Sequence, residues 1–328
     1  MSREMSTKEV AFVKNNLEKE VDGATLIACY ESLVQIRFKR TDYRQLVLSI
    51  QFPKEYPDSV LLLEAKSKTI ADELLAGIIK VTEEHLQTFK GKPQIVAAAR
   101  FVRDFIWENR FVVCSEELSY IKKELVNVGD VIKVKQKLGV IQLKAVRNKY
   151  NLECKLTVPD NYPGEAVSFV VNSNFPSHLE KVFVGHATEM ARQCVEPPIL
   201  KKKSQAMEFV PKPSLKCVSS YLVEDCLRKY PTERCPCCKK PVLPEEPLTE
   251  LPPSMAVELV YCGHLYHYDC LDLLMKSPPF GEAKKCLNCG KRIFHEKWNV
   301  SAKLMEERWA HQEARKREID EVTDFLGL

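Results

Sequence analysis

Between Cys235 and Cys289 the chain carries CPCC, then CGHLYHYDC, then CLNC. In order, Cys235, Cys238, Cys262, His264, His267, Cys270, Cys286 and Cys289 are separated by two, 23, one, two, two, 15 and two residues. Thiolate and imidazole are the ligands of tetrahedral zinc, and a two-residue gap lets neighbouring ligands chelate one ion. Eight such ligands make two sites, so two zinc ions are the expected cofactors. A single C-x2-C says little, because redox pairs share it; four short ligand pairs within 55 residues specify metal. Spacing alone leaves open whether successive pairs share an ion or alternate between two. Cys237 is the spare thiol of CPCC and keeps the register of the first pair ambiguous. Using it in place of Cys238 shortens the gap to one residue. Hydrolysis is disfavoured, since a catalytic zinc needs an open or water-bearing position and every strong ligand position here is filled. No H-E-x-x-H spacing occurs.

The other six of the 13 cysteines, Cys29, Cys114, Cys154, Cys194, Cys217 and Cys226, are dispersed. They read as small buried hydrophobes. The first 20 residues lack the apolar stretch and cleavage site of a secretory signal, so a reducing compartment is expected, cytoplasm and/or nucleus. Basic residues number 49 against 45 acidic, and a net +4 is too weak to announce a nucleic-acid partner. No run approaches the length of a membrane span. With 328 residues, 45% apolar and 29% charged, the composition is that of a soluble protein of two or three domains.

Upstream of the metal motif, one layout occurs twice. Ser6 and Glu9 have the spacing of a capping box, and Val10, Val13 and Leu17 follow at helical intervals. β-rich LVQIRF and QLVLSIQF come next, with Leu46, Leu48, Ile50 and Phe52 alternating as on a half-buried strand. PKEYPDS interrupts, SVLLLEA resumes, and helical patterns return in DELLAGIIKVTEEHL and PQIVAAARFVRDFIWEN. After residue 110, CSEELSYIKKEL reads as a helix, followed by β-like VIQLKAV and NLECKLTV. Leu152, Cys154, Leu156 and Val158 stand 106 residues beyond the first alternating set. Pro53, Tyr56 and Pro57 recur at that offset as Pro159, Tyr162 and Pro163. KPQIVAAARFV from Lys92 recurs as KPSLKCVSSYL from Lys212, 120 residues on, so the second copy is longer near EPPILKKKSQ. Prolines in P-x-x-Y-P hold the chain extended on leaving a strand, and the tyrosine can cover the sheet while its hydroxyl reaches a partner.

The pattern resembles the RWD domain, a relative of the ubiquitin-conjugating fold, over residues 5–110 and again over 112–231. The family motif is commonly Y-P-x-x-x-P; both copies lack the last proline, with Leu61 and Val167 in its place. The resemblance implies α/β architecture, two RWD (ubiquitin-conjugating-like) α+β sandwich domains that bind proteins. Conjugating activity itself is not expected. The first copy has no cysteine between Cys29 and Cys114, Cys194 reads as the end of an amphipathic helix, and the His-Pro-Asn of active conjugating enzymes is missing.

Residues 232–298 resemble a RING finger with histidine at the fourth and fifth ligand positions. Such fingers are small cross-braced zinc domains. Carried over, the first site takes Cys235, Cys238, His267 and Cys270, and the second takes Cys262, His264, Cys286 and Cys289. RING ligases grip a charged conjugating enzyme at positions that here hold Cys237, Leu274 and Leu287, the middle one read as an exposed leucine of the helix in LDLLMKS. The basic clamp for donor ubiquitin falls at Gly290, with Lys291 and Arg292 next in line. Residues 299–326 are expected to form a C-terminal helix, with Leu304, Met305 and Trp309 as one apolar patch and Ile319, Val322 and Phe325 as another. The whole is similar in layout to RWD-containing RING ubiquitin ligases, the Fanconi-type ligase among them. That implies a ligase without a nucleophile, whose partners are a ubiquitin-conjugating enzyme and a protein substrate, with neither nucleic acid nor membrane. The competing expectation is a non-catalytic adaptor stabilised by two structural zinc ions. Loss of the finger is expected to leave the RWD-like region folded.

Overall fold

The computed structural model describes the backbone of residues 2–197, 209–280, 283–294, 296–298 and 301–326. The chain divides into two compact units. One contains Met1–Ala145, Glu153–Asn172 and Val184–Leu222; the other contains Val146–Leu152, Ser173–Phe183 and Val223–Leu328. The finger thus shares a unit with pieces of the segment 112–231.

In the first unit, helix α1 (Ser2–Glu20) leads into strands β1 (Ala24–Cys29), β2 (Val34–Lys39), β3 (Gln45–Gln51) and β4 (Leu62–Lys66). These form an antiparallel meander in chain order. Register explains the core. Val34 faces Ile50, Ile36 faces Leu48 and Phe38 faces Leu46, so one face of the central pair is wholly apolar. α2 (Asp72–Leu86) contributes Leu75, Ile78 and Leu86 to this core, and α3 (Ile95–Glu108) contributes Ile95, Ala98, Ala99, Val102 and Ile106. Each fully buried large aliphatic side chain contributes about 1.5–3 kcal/mol. β3 stops at Gln51, one residue short of the alternating set, and the Phe52 ring lies edge-on to Tyr56 at 5.0 Å.

A second meander, β5 (Val131–Lys135), β6 (Val140–Arg147), β7 (Tyr150–Thr157) and β8 (Ser168–Ser173), has the same strand order. It is preceded by α4 (Ser115–Tyr120), which runs into a π-helical turn at Ile121–Leu125. It is followed by α5 (Ser177–Val195) and α6 (Leu215–Ser220), the latter continuing as π-helix to Arg228. Strands β1, β5 and β8 escaped the pattern reading, because their burial is shallow and apolar residues such as Leu26–Ile27, Val131–Ile132 and Phe169–Val171 run consecutively instead of alternating. The longer segment of the second copy lies largely outside the described residues.

Ser6 and Glu9 do not cap α1, which begins at Ser2. Glu9 is instead buried in the first core. Its carboxylate accepts from the Tyr56 hydroxyl and, at 2.7 Å, from the Ile95 amide that starts α3. The Tyr56 oxygen accepts from the Gln94 amide at 3.2 Å. The second copy repeats this latch. Tyr162 donates to Glu117 at 2.6 Å, its oxygen accepts from the Ser214 and Leu215 amides at 2.7 and 2.9 Å, and Glu117 accepts from the Lys216 amide at 2.8 Å. Both Tyr-Pro bonds are cis. In each copy a carboxylate, buried at Glu9 and half-buried at Glu117, and a tyrosine satisfy amide groups at a helix start that would otherwise be orphaned.

The missing last proline also has a structural counterpart. The Leu61 amide donates to Gln94 Oε1 at 3.2 Å, and the Val167 amide donates to Ser214 Oγ at 3.0 Å. Proline could make neither bond, having no N–H.

The two meanders meet in the first unit around Asp160, which follows β7. Its carboxylate receives Arg40 and Arg44, each at 2.9 Å, and Arg110 at 3.3 Å. The Arg44 side chain is 1% exposed. It also donates to the carbonyls of Ile106 and Trp107 at the end of α3, where the helix dipole favours a cation. Burial and the nearby Arg40 pull the Arg44 pKa down to about 10. Burial acts to raise the Asp160 pKa, but Arg40, Arg110 and Arg44 hold it below the usual value.

Within the finger, a non-regular stretch after Cys238 ends in a 3-10 turn at Pro253–Met255. It contains the short hairpin β9 (Val257–Leu259) and β10 (Leu265–His267), then α7 (Tyr268–Lys276). α8 (Ala302–Leu326) closes the chain. Trp309 is half-buried with its ring 6.3 Å from Phe280, while Leu304 and Ile319 are exposed. The side chains of Met305, Val322 and Phe325, assigned to the two apolar patches, lie outside the described residues. No described helix is long and apolar enough to cross a membrane.

Candidate metal centre

Two tight turns supply the outer ligand pairs. In the first, the Lys239 amide donates to the Cys235 carbonyl at 2.8 Å and the Cys235 amide to the Lys240 carbonyl at 2.9 Å. In the second, the Gly290 amide donates to the Cys286 carbonyl at 2.8 Å and the Cys286 amide to the Lys291 carbonyl at 2.7 Å. Lys239 and Gly290 occupy equivalent corners, with φ of 61° and 71°. Gly290, read from sequence as a lost clamp, therefore sits where the backbone is left-handed and glycine is easiest. A Cβ built there meets nothing within 4 Å.

The inner ligands come from the hairpin and α7. Cys262 and His264 bracket Gly263, whose φ is 81°, in the β9–β10 turn. His267 ends β10 and occupies the position just before α7 without a side-chain capping bond, and Cys270 lies in the first turn of α7.

The fold gathers these eight residues into two groups. Ligand atoms of Cys235, Cys238, His267 and Cys270 lie within 4.8 Å of one another, as do those of Cys262, His264, Cys286 and Cys289. The groups alternate along the chain. His267 Nδ1 is 3.2 Å from Cys238 Sγ and 3.9 Å from Cys270 Sγ. Its Nε2 is 3.0 Å from the Pro241 carbonyl, so an Nε2–H donated there leaves Nδ1 as the ligand atom. His264 Nδ1 is 3.3 Å from Cys262 Sγ and 3.7 Å from Cys286 Sγ. Tyr266, which the sequence reading passed over, donates to Cys286 Sγ at 3.1 Å and accepts from the Leu287 amide at 3.0 Å.

Electrostatics within the groups are uneven. Burial opposes ionisation of Cys235 and Cys286, but backbone amides, and for Cys286 also Tyr266, bring both below the ordinary thiol value. Burial, followed by neighbouring thiols, pushes Cys262 and Cys270 up to about 12. A divalent cation removes that penalty by binding the thiolates directly. Each group can hold a metal ion, and the all Cys/His donor set is that of structural zinc.

The sequence-derived partner positions are less uniform. Cys237 lies outside both groups, is half-buried, and turns its S–H toward the Cys270 carbonyl at 3.7 Å. Leu274, expected to be exposed, is half-buried; the exposed leucine of α7 is Leu273, at 71%. The helix phase explains this, since Leu271 and Met275 are the inward positions and Leu274 sits beside that stripe. Leu287 is 55% exposed. Lys291 and Arg292 are exposed, and the Arg292 guanidinium lies 4.6 Å above the Phe294 ring.

The finger is tied into its unit by polar and aromatic contacts. Tyr150 donates to the Pro244 carbonyl at 2.8 Å, Lys149 pairs with Glu246, and the Ser177 amide donates to the Thr249 carbonyl at 2.9 Å. Lys229 Nζ donates to the Gly263 carbonyl at 3.0 Å, beside the metal-ligand turn. Tyr150, Phe175, Phe183 and Tyr230 form a continuous chain of ring contacts, tilted, edge-on and stacked in turn, with spacings of 4.7, 5.3 and 5.3 Å.

Comparison with known families matches residues 4–106 to the RWD domain. No curated protein matches the chain. The amino-terminal part is thus an RWD domain, which points to a protein-interaction role in the setting of ubiquitin-conjugating enzymes.

Proposed function

We propose that the chain is a RING-type ubiquitin-protein ligase. The observation that carries this reading is the alternation of the two four-ligand groups, with the first and third ligand pairs in one and the second and fourth in the other. That is the connectivity of a cross-braced finger. In this reading each group holds one zinc, residues 232–298 dock a charged ubiquitin-conjugating enzyme, and no residue of the chain acts as a nucleophile. Orienting the thioester for attack by a substrate lysine lowers the orientational cost of aminolysis. The RWD domain, and a second RWD-like domain over 112–231, recruit the protein substrate. Site of action is cytoplasm and/or nucleus, with no role for nucleic acid.

The docking surface comprises Leu287 and α7, with Cys237 beneath it and Lys291 and Arg292 beside it. The reshuffled exposure on α7 makes Leu273 a stronger contact than Leu274. Discharge of ubiquitin to free lysine from a panel of charged conjugating enzymes tests the proposal. Acceleration by wild type, reduced about tenfold in Leu273→Ala or Leu287→Ala with metal content unchanged, is the expected result for a hot-spot loss. Absence of acceleration across the panel favours the second reading, a zinc-stabilised adaptor, for which Gly290 in place of a basic clamp speaks.

A further inference from the structure

Outside the finger, two cysteines from different helices lie side by side. Cys194 is in the last turn of α5 and Cys217 in the first turn of α6. Their sulfurs are 3.7 Å apart, and both side chains are half-buried rather than sealed in a core. Backbone already holds the two helix ends together, with the Lys212 amide donating to the Cys194 carbonyl at 2.8 Å. A disulfide requires the sulfurs to close to about 2.05 Å, a movement within reach of side-chain torsions when the backbone is this near. Cys114 and Cys154, by contrast, are buried in their cores.

We propose that Cys194 and Cys217 form a reversible oxidation site, joined as a disulfide by hydrogen peroxide. The bond closes a ring through residues 195–216, which contains the segment that makes the second copy longer than the first. The Cys217 thiol donates to the Ser214 carbonyl at 3.1 Å and stays protonated, its pKa pushed up to about 12 by burial and by Cys194. Cys194 therefore reacts first. Its sulfur attacks one peroxide oxygen, the O–O bond breaks, and the thiol proton leaves with the departing hydroxide as water. The Cys217 sulfur then attacks the resulting sulfenic sulfur. The S–O bond breaks, and the Cys217 proton leaves with that hydroxide as a second water. The two thiols lose two electrons and the peroxide gains them.

The consequence falls on the latch of the second copy. Ser214, Leu215 and Lys216 donate the amides that Tyr162 and Glu117 accept, and Cys217 is the next residue. Linking it to α5 fixes the helix start that the latch engages, while the first copy, with no cysteine between Cys29 and Cys114, has no such control.

Peptide mapping of the full-length protein tests this. The protein is treated with hydrogen peroxide, alkylated under denaturing conditions without reductant, and digested with trypsin, which cuts within Lys201–Lys203. The expected product is a linked peptide pair containing Cys194 and Cys217, lighter by two hydrogens than its parts and separated by dithiothreitol. It should be lost in both Cys194→Ser and Cys217→Ser. Oxidised wild type should also show slower amide exchange at Ser214–Lys216. Recovery of Cys194 and Cys217 as alkylated peptides after peroxide, or their pairing with finger cysteines instead of each other, overturns the proposal. The wild-type map decides the matter even if a serine variant fails to fold.

Discussion

Glu9 carries more of the amino-terminal domain than any exposed charge. It is 5% exposed and accepts from both Tyr56 and Ile95, so truncation removes an acceptor from two buried donors. Glu9→Ala should cost about 2–4 kcal/mol, since each orphaned buried donor costs roughly 1–3 kcal/mol. Glu9→Gln should cost about 1 kcal/mol, because one oxygen still accepts from Ile95. Urea unfolding measures both; equal effects would mean that packing, not hydrogen bonding, is what Glu9 supplies. Desolvation raises the Glu9 pKa above the ordinary value despite the opposing Tyr56, Ile95 and Gln94 hydrogen bonds, and burial does the same to Glu117. Between the ordinary glutamate value and the raised native value the native state binds more protons than the unfolded state. The associated stability is therefore full below the ordinary glutamate value and lost as pH rises through the native value. A Glu9→Gln, Glu117→Gln double variant should lack this decline in a pH series of unfolding midpoints. An unchanged decline would assign it to other groups.

Gly290 is a second residue whose meaning changes once its backbone is seen. The equivalent Lys239 shows that a side chain can sit at this corner, and the space around Gly290 is open. Gly290→Arg should fold with both metal groups intact, at a cost of about 1 kcal/mol for the left-handed φ. If the finger is a ligase, the added guanidinium should raise the lysine-discharge rate. Loss of metal in this variant would show that the corner tolerates only glycine.

At the scale of elements, Asp160 joins the β2–β3 hairpin, through Arg40 and Arg44, to the loop after β7. Asp160→Ala leaves Arg44 buried with its charge uncompensated. Because Asp160 is itself 41% exposed, the expected loss is about 2 kcal/mol, between the roughly 0–1 kcal/mol of surface pairs and 3–5 kcal/mol for breaking a buried one. Denaturant titration of the variant measures this. A loss of no more than the surface-pair range would show that the α3 carbonyls satisfy Arg44 alone. The first sheet itself follows from the facing triplets Val34, Ile36, Phe38 and Ile50, Leu48, Leu46, whose alternation is visible in the chain. β1, β5 and β8 were not visible, because their apolar residues run consecutively in short segments and their alternating exposure appears only in the folded sheet.

At the scale of the molecule, metal should stabilise more than the finger. Val146–Leu152 and Ser173–Phe183 belong to the finger's unit and are joined to it by Tyr150, Ser177 and the chain of ring contacts. Chelation at neutral pH should therefore increase amide exchange in residues 146–152 and 173–183 along with 232–298, leaving 4–106 protected. This differs from the modular behaviour that domain order alone suggests. Exchange confined to 232–298 would restore the modular view.

The chain by itself determined the eight Cys/His residues, because ligand spacing is a local, covalent property that survives any fold. It also determined the alternating strands and the paired Tyr-Pro turns, since periodicity and proline act over a few residues. Tertiary structure alone decided the rest. Ligand grouping, the place of Cys237 outside both groups and the exposure of Leu273 rather than Leu274 depend on how hairpin and helix are rotated together. Glu9 and Glu117 looked like ordinary helix acids, the first even like half of a capping box. Their partners lie 47 and 45 residues away, and nothing in a linear pattern marks a carboxylate whose hydrogen bonds are made only after the sheet and its helices have packed.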